Sequence, residues 1–388
     1  MKKALLITIT IIALPLIAIA TETAEPPEKK TLARPNIEVV FVLDTTGSMS
    51  GLINAAKQKI WSIANTMTMT EPAPQIKMGL VGYRDRGDAY VTKHLALTED
   101  LDKVYEFLMG FQAGGGGDGP ESVNQALNEA VEKMQWSTDE KSYKVIYLVG
   151  DFPPHMDYKD DVKYTKSCKA AATKGITINT IQCGWNVQTT SVWKEIAKLA
   201  EGEFFSVGQS GGAVVVDTPY DAELAELSRE LDKTRIYYGS QSEQKQQLTR
   251  EKLADKLYKK ASTSAIAARA KFNSSKAGAR NLFGEQELVM DVSSGKVELD
   301  EINEDQLNEK MQKMTPKQRE EYVVKMAAER KTIQKQIEEL STKRQLYIKK
   351  QIDEKNINTA DSLDQKIYQC IQTQAGKKDI VYKDGPMY

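Results

Sequence analysis

Ile37-Glu38-Val39-Val40-Phe41-Val42-Leu43-Asp44-Thr45-Thr46-Gly47-Ser48 is the stretch on which the reading of this chain turns. Its nearly continuous, β-branched apolar run is what a strand buried on both faces requires. The run delivers Asp44, Thr46 and Ser48 into a tight turn that opens a helix near Met49. Carboxylate and hydroxyl oxygens are the ligands that hard cations such as Mg²⁺, Mn²⁺ or Ca²⁺ take.

Outward from this stretch, short apolar runs alternate with longer amphipathic ones, the signature of an α/β sheet with helices on both faces. Strands are expected at Ile37–Leu43, Ile76–Tyr83, Tyr90–Leu97, Lys144–Val149, Ile176–Gln182 and Glu203–Val207. Helices are expected at Met49–Met69, Leu101–Gly110, Glu121–Met134, Val162–Lys174, Val192–Ala200 and Ala222–Thr234. The short strand near Tyr90 follows a turn at Arg86-Gly87-Asp88, which places it antiparallel at the sheet edge.

Three loops at the carboxyl ends of strands should converge, as ligand sites of open α/β sheets do. The second is Gly114-Gly115-Gly116-Gly117-Asp118-Gly119-Pro120-Glu121, with Pro120 suited to a first helical position. Asp118 is its best-placed oxygen donor and Glu121 the second choice. The third brings Asp151, followed by Phe152-Pro153-Pro154-His155. Either aspartate alone reads as a helix cap; two aspartates, two hydroxyls and a Gly-Asp loop in this order read as a metal site.

Residues 36–235 resemble the von Willebrand factor A domains. The first loop is similar to their Asp-x-Ser-x-Ser metal-ion-dependent adhesion site, with Thr46 in place of the middle serine. The second and third loops are similar to a bacterial branch in which Gly-Gly-Gly-Asp-x-Pro-Glu replaces the usual threonine loop. The resemblance implies a doubly wound, mostly parallel, Rossmann-like sheet. It also implies a divalent cation, Mg²⁺ or else Mn²⁺ or Ca²⁺, held by Asp44, Thr46, Ser48, Asp118 and Asp151, and a protein partner whose carboxylate completes the octahedron. Neutral direct ligands, Thr46 and Ser48, with Asp44 and Asp151 acting through water, would leave the ion its charge for that carboxylate. Asp118 departs from the usual threonine, so tighter cation binding and weaker attraction for an acidic ligand are expected.

The 388 residues carry a net charge of −1, which offers no footprint for nucleic acid. Lys2-Lys3 followed by apolar Ala4–Ala20, ending in Ala18-Ile19-Ala20, reads as a secretory signal, with an uncleaved anchor as the weaker alternative. A periplasmic or secreted protein without a lasting membrane span is therefore expected. Export permits a disulfide, and of Cys168, Cys183 and Cys370 the first two could meet; three unpaired thiols are an equal expectation. His94 and His155 are the only histidines, which argues against His-rich zinc sites and histidine triads. Gly114-x-Gly116-x-x-Gly119 fits a dinucleotide pattern literally but follows no strand directly, and Arg86-Gly87-Asp88 reads as a turn.

The expected organisation is a signal peptide at 1–20, a linker at 21–35, the von Willebrand A domain at 36–236, a mixed helical connector at 237–300 and a helical, partly coiled-coil region at 301–388. In the last, Val323, Met326, Arg330, Ile333, Ile337, Leu340, Arg344 and Tyr347 follow a 3-4 spacing. This is either an imperfect heptad seam supporting a weak homo-oligomer or a long amphipathic helix folded on its own neighbours. The functional expectation is a non-enzymatic module that binds a protein through the cation. The alternatives are a metal-dependent hydrolase, which lacks an obvious general base, Glu121 and His155 being the nearby candidates, and a scaffold with a degenerate site.

Overall fold

Along β1 (Asn36–Asp44) successive side chains enter two different cores, Ile37, Val39, Phe41 and Leu43 on one face and Val40 and Val42 on the other. The computed structural model describes residues 34–117 and 119–382; the signal at 1–20, nearly all of the 21–35 linker, and Asp118 lie outside them. The chain continues through α1 (Ser50–Met67), β2 (Gln75–Tyr83), β3 (Thr92–Thr98), α2 (Leu101–Met109), α3 (Val123–Glu132) and β4 (Tyr143–Gly150). It then forms α4 (Tyr164–Thr173), β5 (Ile176–Cys183), α5 (Val187–Leu199), β6 (Phe204–Val207) and α6 (Asp221–Lys233). The six strands stand in the order β3-β2-β1-β4-β5-β6. All pairs are parallel except β2 with β3, which is antiparallel at the edge, as the turn before Tyr90 led us to expect.

Helices α3, α4 and α5 cover one face around Leu127, Cys168 and Trp193. The other face is covered by α1 and α2 and also by helices from far down the chain. These are α8 (Thr263–Ser274), which follows α7 (Gln241–Lys260), and α13 (Leu363–Ala375). Trp61 of α1 packs on Phe272 of α8, with ring centroids 5.8 Å apart. The Gln374 side chain of α13 accepts from the Tyr143 hydroxyl at 2.9 Å and exchanges hydrogen bonds with the Asn179 amide at 2.7 and 2.9 Å. Residues from Arg34 onward accordingly form one compact unit, and the C-terminal half is not an independent appendage.

The intervening helices are α9 (Ala279–Phe283), α10 (Leu288–Ser293), α11 (Glu309–Gln312) and the 39-residue α12 (Pro316–Glu354). Thr315 and Gln318 form a capping box at the start of α12, with Pro316 at its first position. The 3-4 stripe faces this chain rather than a second copy. Val323 and Met326 join one small core, and Ile333 and Ile337 another with Leu224, Leu231 and Phe283. The two arginines explain why the seam looked imperfect. Arg330 donates to both carboxylate oxygens of buried Glu287, at 2.8 and 2.9 Å, and to the Thr234 carbonyl at 2.8 Å. Arg344 donates to Asp221 at 2.7 Å.

Cys168 and Cys183 lie in the cores on opposite faces of the sheet, so they cannot pair, and all three cysteines are free and buried. Burial pushes each thiol up, Cys168 to about 12. The native chain is expected to leave all three unreacted toward a water-soluble thiol reagent, because the reactive thiolate is absent and the sulfurs are shielded. Three equivalents should react on denaturation; rapid labelling of the native chain would contradict this packing. Among the described residues no helix is long and apolar enough to cross a membrane.

Candidate metal centre

Thr45 holds the first loop. Its backbone N–H and hydroxyl both donate to the Tyr83 carbonyl at 2.8 Å. This leaves Asp44 at the strand end, where Thr46 donates to Oδ1 from its backbone N–H at 2.8 Å and from its hydroxyl at 2.6 Å. The Thr46 and Ser48 hydroxyl oxygens are 3.4 Å apart, and Ser48 is exposed at the mouth. Gly150 lets β4 approach, since a Cβ there would collide with the Tyr83 hydroxyl and stand 3.1 Å from Asp44 Oδ2.

The glycine-rich loop is laced to the first by Gly47 N–H to the Gly115 carbonyl and Gly114 N–H to the Thr45 carbonyl, both 3.2 Å. Arg84 clamps the pair, donating to Thr45 O at 3.1 Å and Gln112 O at 2.6 Å. Gly116 has φ +77°, and a Cβ on it would press on Thr46 at 3.2 Å and on Glu121 Oε1 at 3.4 Å. Only glycine accommodates both demands. Glu121 is stitched to the third loop by its N–H to the Pro153 carbonyl at 2.9 Å and by its carbonyl accepting from His155 N–H at 3.1 Å.

Asp151 is fixed by Thr189, whose hydroxyl donates to its backbone carbonyl at 2.9 Å, and by Gln209, whose amide donates to Oδ2 at 2.8 Å. Gln209 also reaches the Ser48 carbonyl at 3.3 Å, tying the first and third loops together. Sequence reasoning missed Gln209. The available signal was its place just after β6, at the same sheet edge as the other loops.

Three buried carboxylate oxygens, Asp44 Oδ2, Asp151 Oδ1 and Glu121 Oε2, have no hydrogen-bond partner. Buried acceptors are rarely left so. Burial, followed by the charges of Asp44, Asp85, Asp88 and Asp151, pushes the Glu121 carboxyl up to about 9. Burial pushes Asp44 up to about 7, with Asp151 adding to the rise and the Thr46 hydrogen bonds opposing it. A cation among these oxygens would relieve both the desolvation and the mutual repulsion. Among the described residues no three His, Cys, Asp or Glu side chains form a metal cage by themselves, so an ion would also draw on the hydroxyls of Thr46 and Ser48. Of the expected residues, the structure brings together Asp44, Thr46, Ser48 and Asp151, with Glu121, the second choice of the glycine-rich loop, beside them; the first choice, Asp118, lies outside the described residues. His155 stands behind them, stacked on Tyr158 with centroids 4.1 Å apart and 2.8 Å from Asp157 Oδ1.

Residues 38–216 match the family model described as von Willebrand factor A domain. A 119-residue stretch is 26% identical to an ariadne-like RING finger protein of Acanthamoeba polyphaga mimivirus, covering 31% of this chain and 11% of that protein. A 120-residue stretch is 26% identical to an alpha-protein kinase of Dictyostelium discoideum, covering 31% of this chain and 19% of the kinase. The matched stretch thus spans under a fifth of either curated relative. Among solved structures, proximal thread matrix protein 1 from the mussel byssus is similar with 15% identity and a TM-score of 0.36, over 45% of this chain and 42% of that one. The SpRpn10 VWA domain has 15% identity and a TM-score of 0.35, over 45% of this chain and 89% of that one. Residues 38–216 are a von Willebrand factor A domain with a six-stranded, mostly parallel sheet, and a helical C-terminal region follows it.

Proposed function

We propose that this chain is an exported binding protein whose sheet edge takes up a divalent cation, Mg²⁺ or else Mn²⁺ or Ca²⁺, and uses it to hold an acidic group of a protein partner. The observation that carries the reading is the set of three buried, unpartnered carboxylate oxygens beside the Thr46 and Ser48 hydroxyls. Asp44, Thr46, Ser48 and Asp151 would hold the ion, with Glu121 as the acidic group of the glycine-rich loop. When bound, the ion supplies positive charge for a carboxylate; the chain supplies its position and the pre-set orientation of Asp151 through Gln209. Von Willebrand A domains generally bind proteins, which agrees with this role, and the Lys2-Lys3 and Ala4–Ala20 pattern supports export.

Cation binding to the folded state alone stabilises by about 2.7 kcal/mol at roughly 100 times the dissociation constant. Millimolar Mg²⁺ or Mn²⁺ is therefore expected to raise the melting temperature by a few degrees over chelator, and Asp151→Ala to remove most of the shift. The measurement belongs on the whole chain, because α8 and α13 cover the sheet that a 36–236 fragment would leave bare. A melting curve insensitive to any of the three cations would leave the scaffold reading.

A further inference from the structure

Exposed large apolar side chains are concentrated around this edge of the sheet. Of nine among the described residues, four lie on the segments that follow β4 and β5: Met156, Val162, Trp185 and Val187. Trp185 and Val187 are the extreme cases, 81% and 82% exposed, while Trp61 and Trp193 are fully buried. Such exposure in a large aromatic is the informative departure from ordinary burial.

The backbone between the two residues is anchored. Asn186 between them caps α5 by accepting from Thr189 N–H at 3.0 Å, and its carbonyl accepts from Gln182 at 2.8 Å and Thr190 at 3.0 Å. The pair is also joined to the carboxylate site by a short chain of contacts. Gly184, preceding Trp185, packs against the side-chain amide of Gln209, which holds Asp151 and reaches the Ser48 carbonyl. Thr189, two residues past Val187, holds the Asp151 carbonyl. With the backbone between them already held, a partner that covers the pair has only the two side chains to order, and tryptophan is among the residues that most often carry binding energy at interfaces.

We infer that Trp185 and Val187 form the apolar half of a two-part docking site, whose occupant is a polypeptide segment carrying an acidic residue next to a large apolar one. The inference rests on the cation reading above: the carboxylate is complementary in charge to the bound ion, and its apolar neighbour covers Trp185 and Val187. A lipid surface fits less well, because the adjoining loop offers no positive patch: Asp157, Asp160 and Asp161 stand against Lys159, Lys163 and Arg86, which pairs with Asp160 and Asp161, so anionic headgroups find no net attraction there.

The test is selection of random 12-residue peptides displayed on phage against the purified full chain, in Mg²⁺ and in chelator. Mg²⁺-dependent enrichment of peptides with Asp or Glu beside Leu, Ile, Phe, Trp or Met is expected. Binding of an enriched peptide should fall about 30-fold in Trp185→Ser/Val187→Ser, the scale of a hot spot. Mg²⁺ affinity by calorimetry should stay within about twofold, since neither residue contributes an oxygen to the ion. Unchanged peptide affinity in the double variant, enriched peptides lacking a large apolar residue, or no enrichment while Mg²⁺ still raises the melting temperature would overturn this inference and leave the cation reading standing. Sedimentation of the chain with vesicles of phosphatidylcholine and phosphatidylglycerol, lost in the double variant, would overturn it in favour of a lipid surface. Absence of any Mg²⁺ binding would instead remove the reading beneath it.

Discussion

Arg269→Met is expected to destabilise the chain by about 3–5 kcal/mol, the cost of removing one partner from a buried ionic set. Arg269 is fully buried on α8. It donates to Asp102 of α2 at 2.6 and 2.7 Å, to Asp232 of α6 at 3.1 and 3.2 Å, to Ser228 at 3.0 Å and to the Tyr258 hydroxyl at 2.8 Å. One guanidinium thus joins the sheet-covering helix α2 to the C-terminal helices, and methionine would leave Asp102 without its cation. Burial alone pushes the Asp102 carboxyl up, but the adjacent Arg269 outweighs it and holds the group below its ordinary value. A carboxyl depressed in the folded state stabilises above its unfolded value of about 3.9 and loses that contribution as pH falls through the folded one. The wild-type chain should shed this part of its stability only below about pH 4, and the variant should lack that acid step. Urea midpoints across pH measure both, and a neutral-pH loss under about 1 kcal/mol would show that the set contributes no more than an exposed ion pair.

Ile337→Asp is expected to cost about 4 kcal/mol or more, because it places a charge without a partner in an apolar core. Ile337 is fully buried on α12 among Leu224, Leu231, Ala270 and Phe283 of the same chain. The alternative, a seam between chains, makes a different prediction: the variant would dissociate an oligomer and leave the protomer intact. Here the loss should appear in denaturation at any protein concentration, with the sedimentation coefficient of the folded fraction unchanged. Val324→Asp, on the exposed side of the same helix at 62% exposure, serves as control and should stay within about 0.5 kcal/mol.

The sheet was legible because strands buried on both faces must be written as runs such as Val145-Ile146-Tyr147-Leu148-Val149, which helices of that length do not require. Asp44 and Asp151 were legible for a related reason, as charges placed where an apolar run stops. Gln209 was not, since a glutamine in a loop has no chemical signature and its role depends on β6 lying beside β5. Spacing alone could not rank the two acids of the glycine-rich loop by place: Glu121 is anchored to the third loop by backbone bonds to Pro153 and from His155, contacts between loops that no local pattern announces, while Asp118 lies outside the described residues. The α12 stripe was legible as a stripe, but a 3-4 spacing does not name the surface it meets. Its two arginines held that information, because Glu287 and Asp221 lie inside this chain.

The hydrogen bonds between Gln374 and the strands at Tyr143 and Asn179 have a consequence for how the molecule is made. A ribosome finishes the last strand, Phe204–Val207, long before it reaches the helix that seals the sheet over Tyr143 and Tyr147. At 5–20 residues per second the intervening segment of roughly 155 residues takes about 8–30 s. For that interval one side of the nascent sheet lacks its final cover, and a chaperone holding an unfinished apolar face has a defined window in which to act.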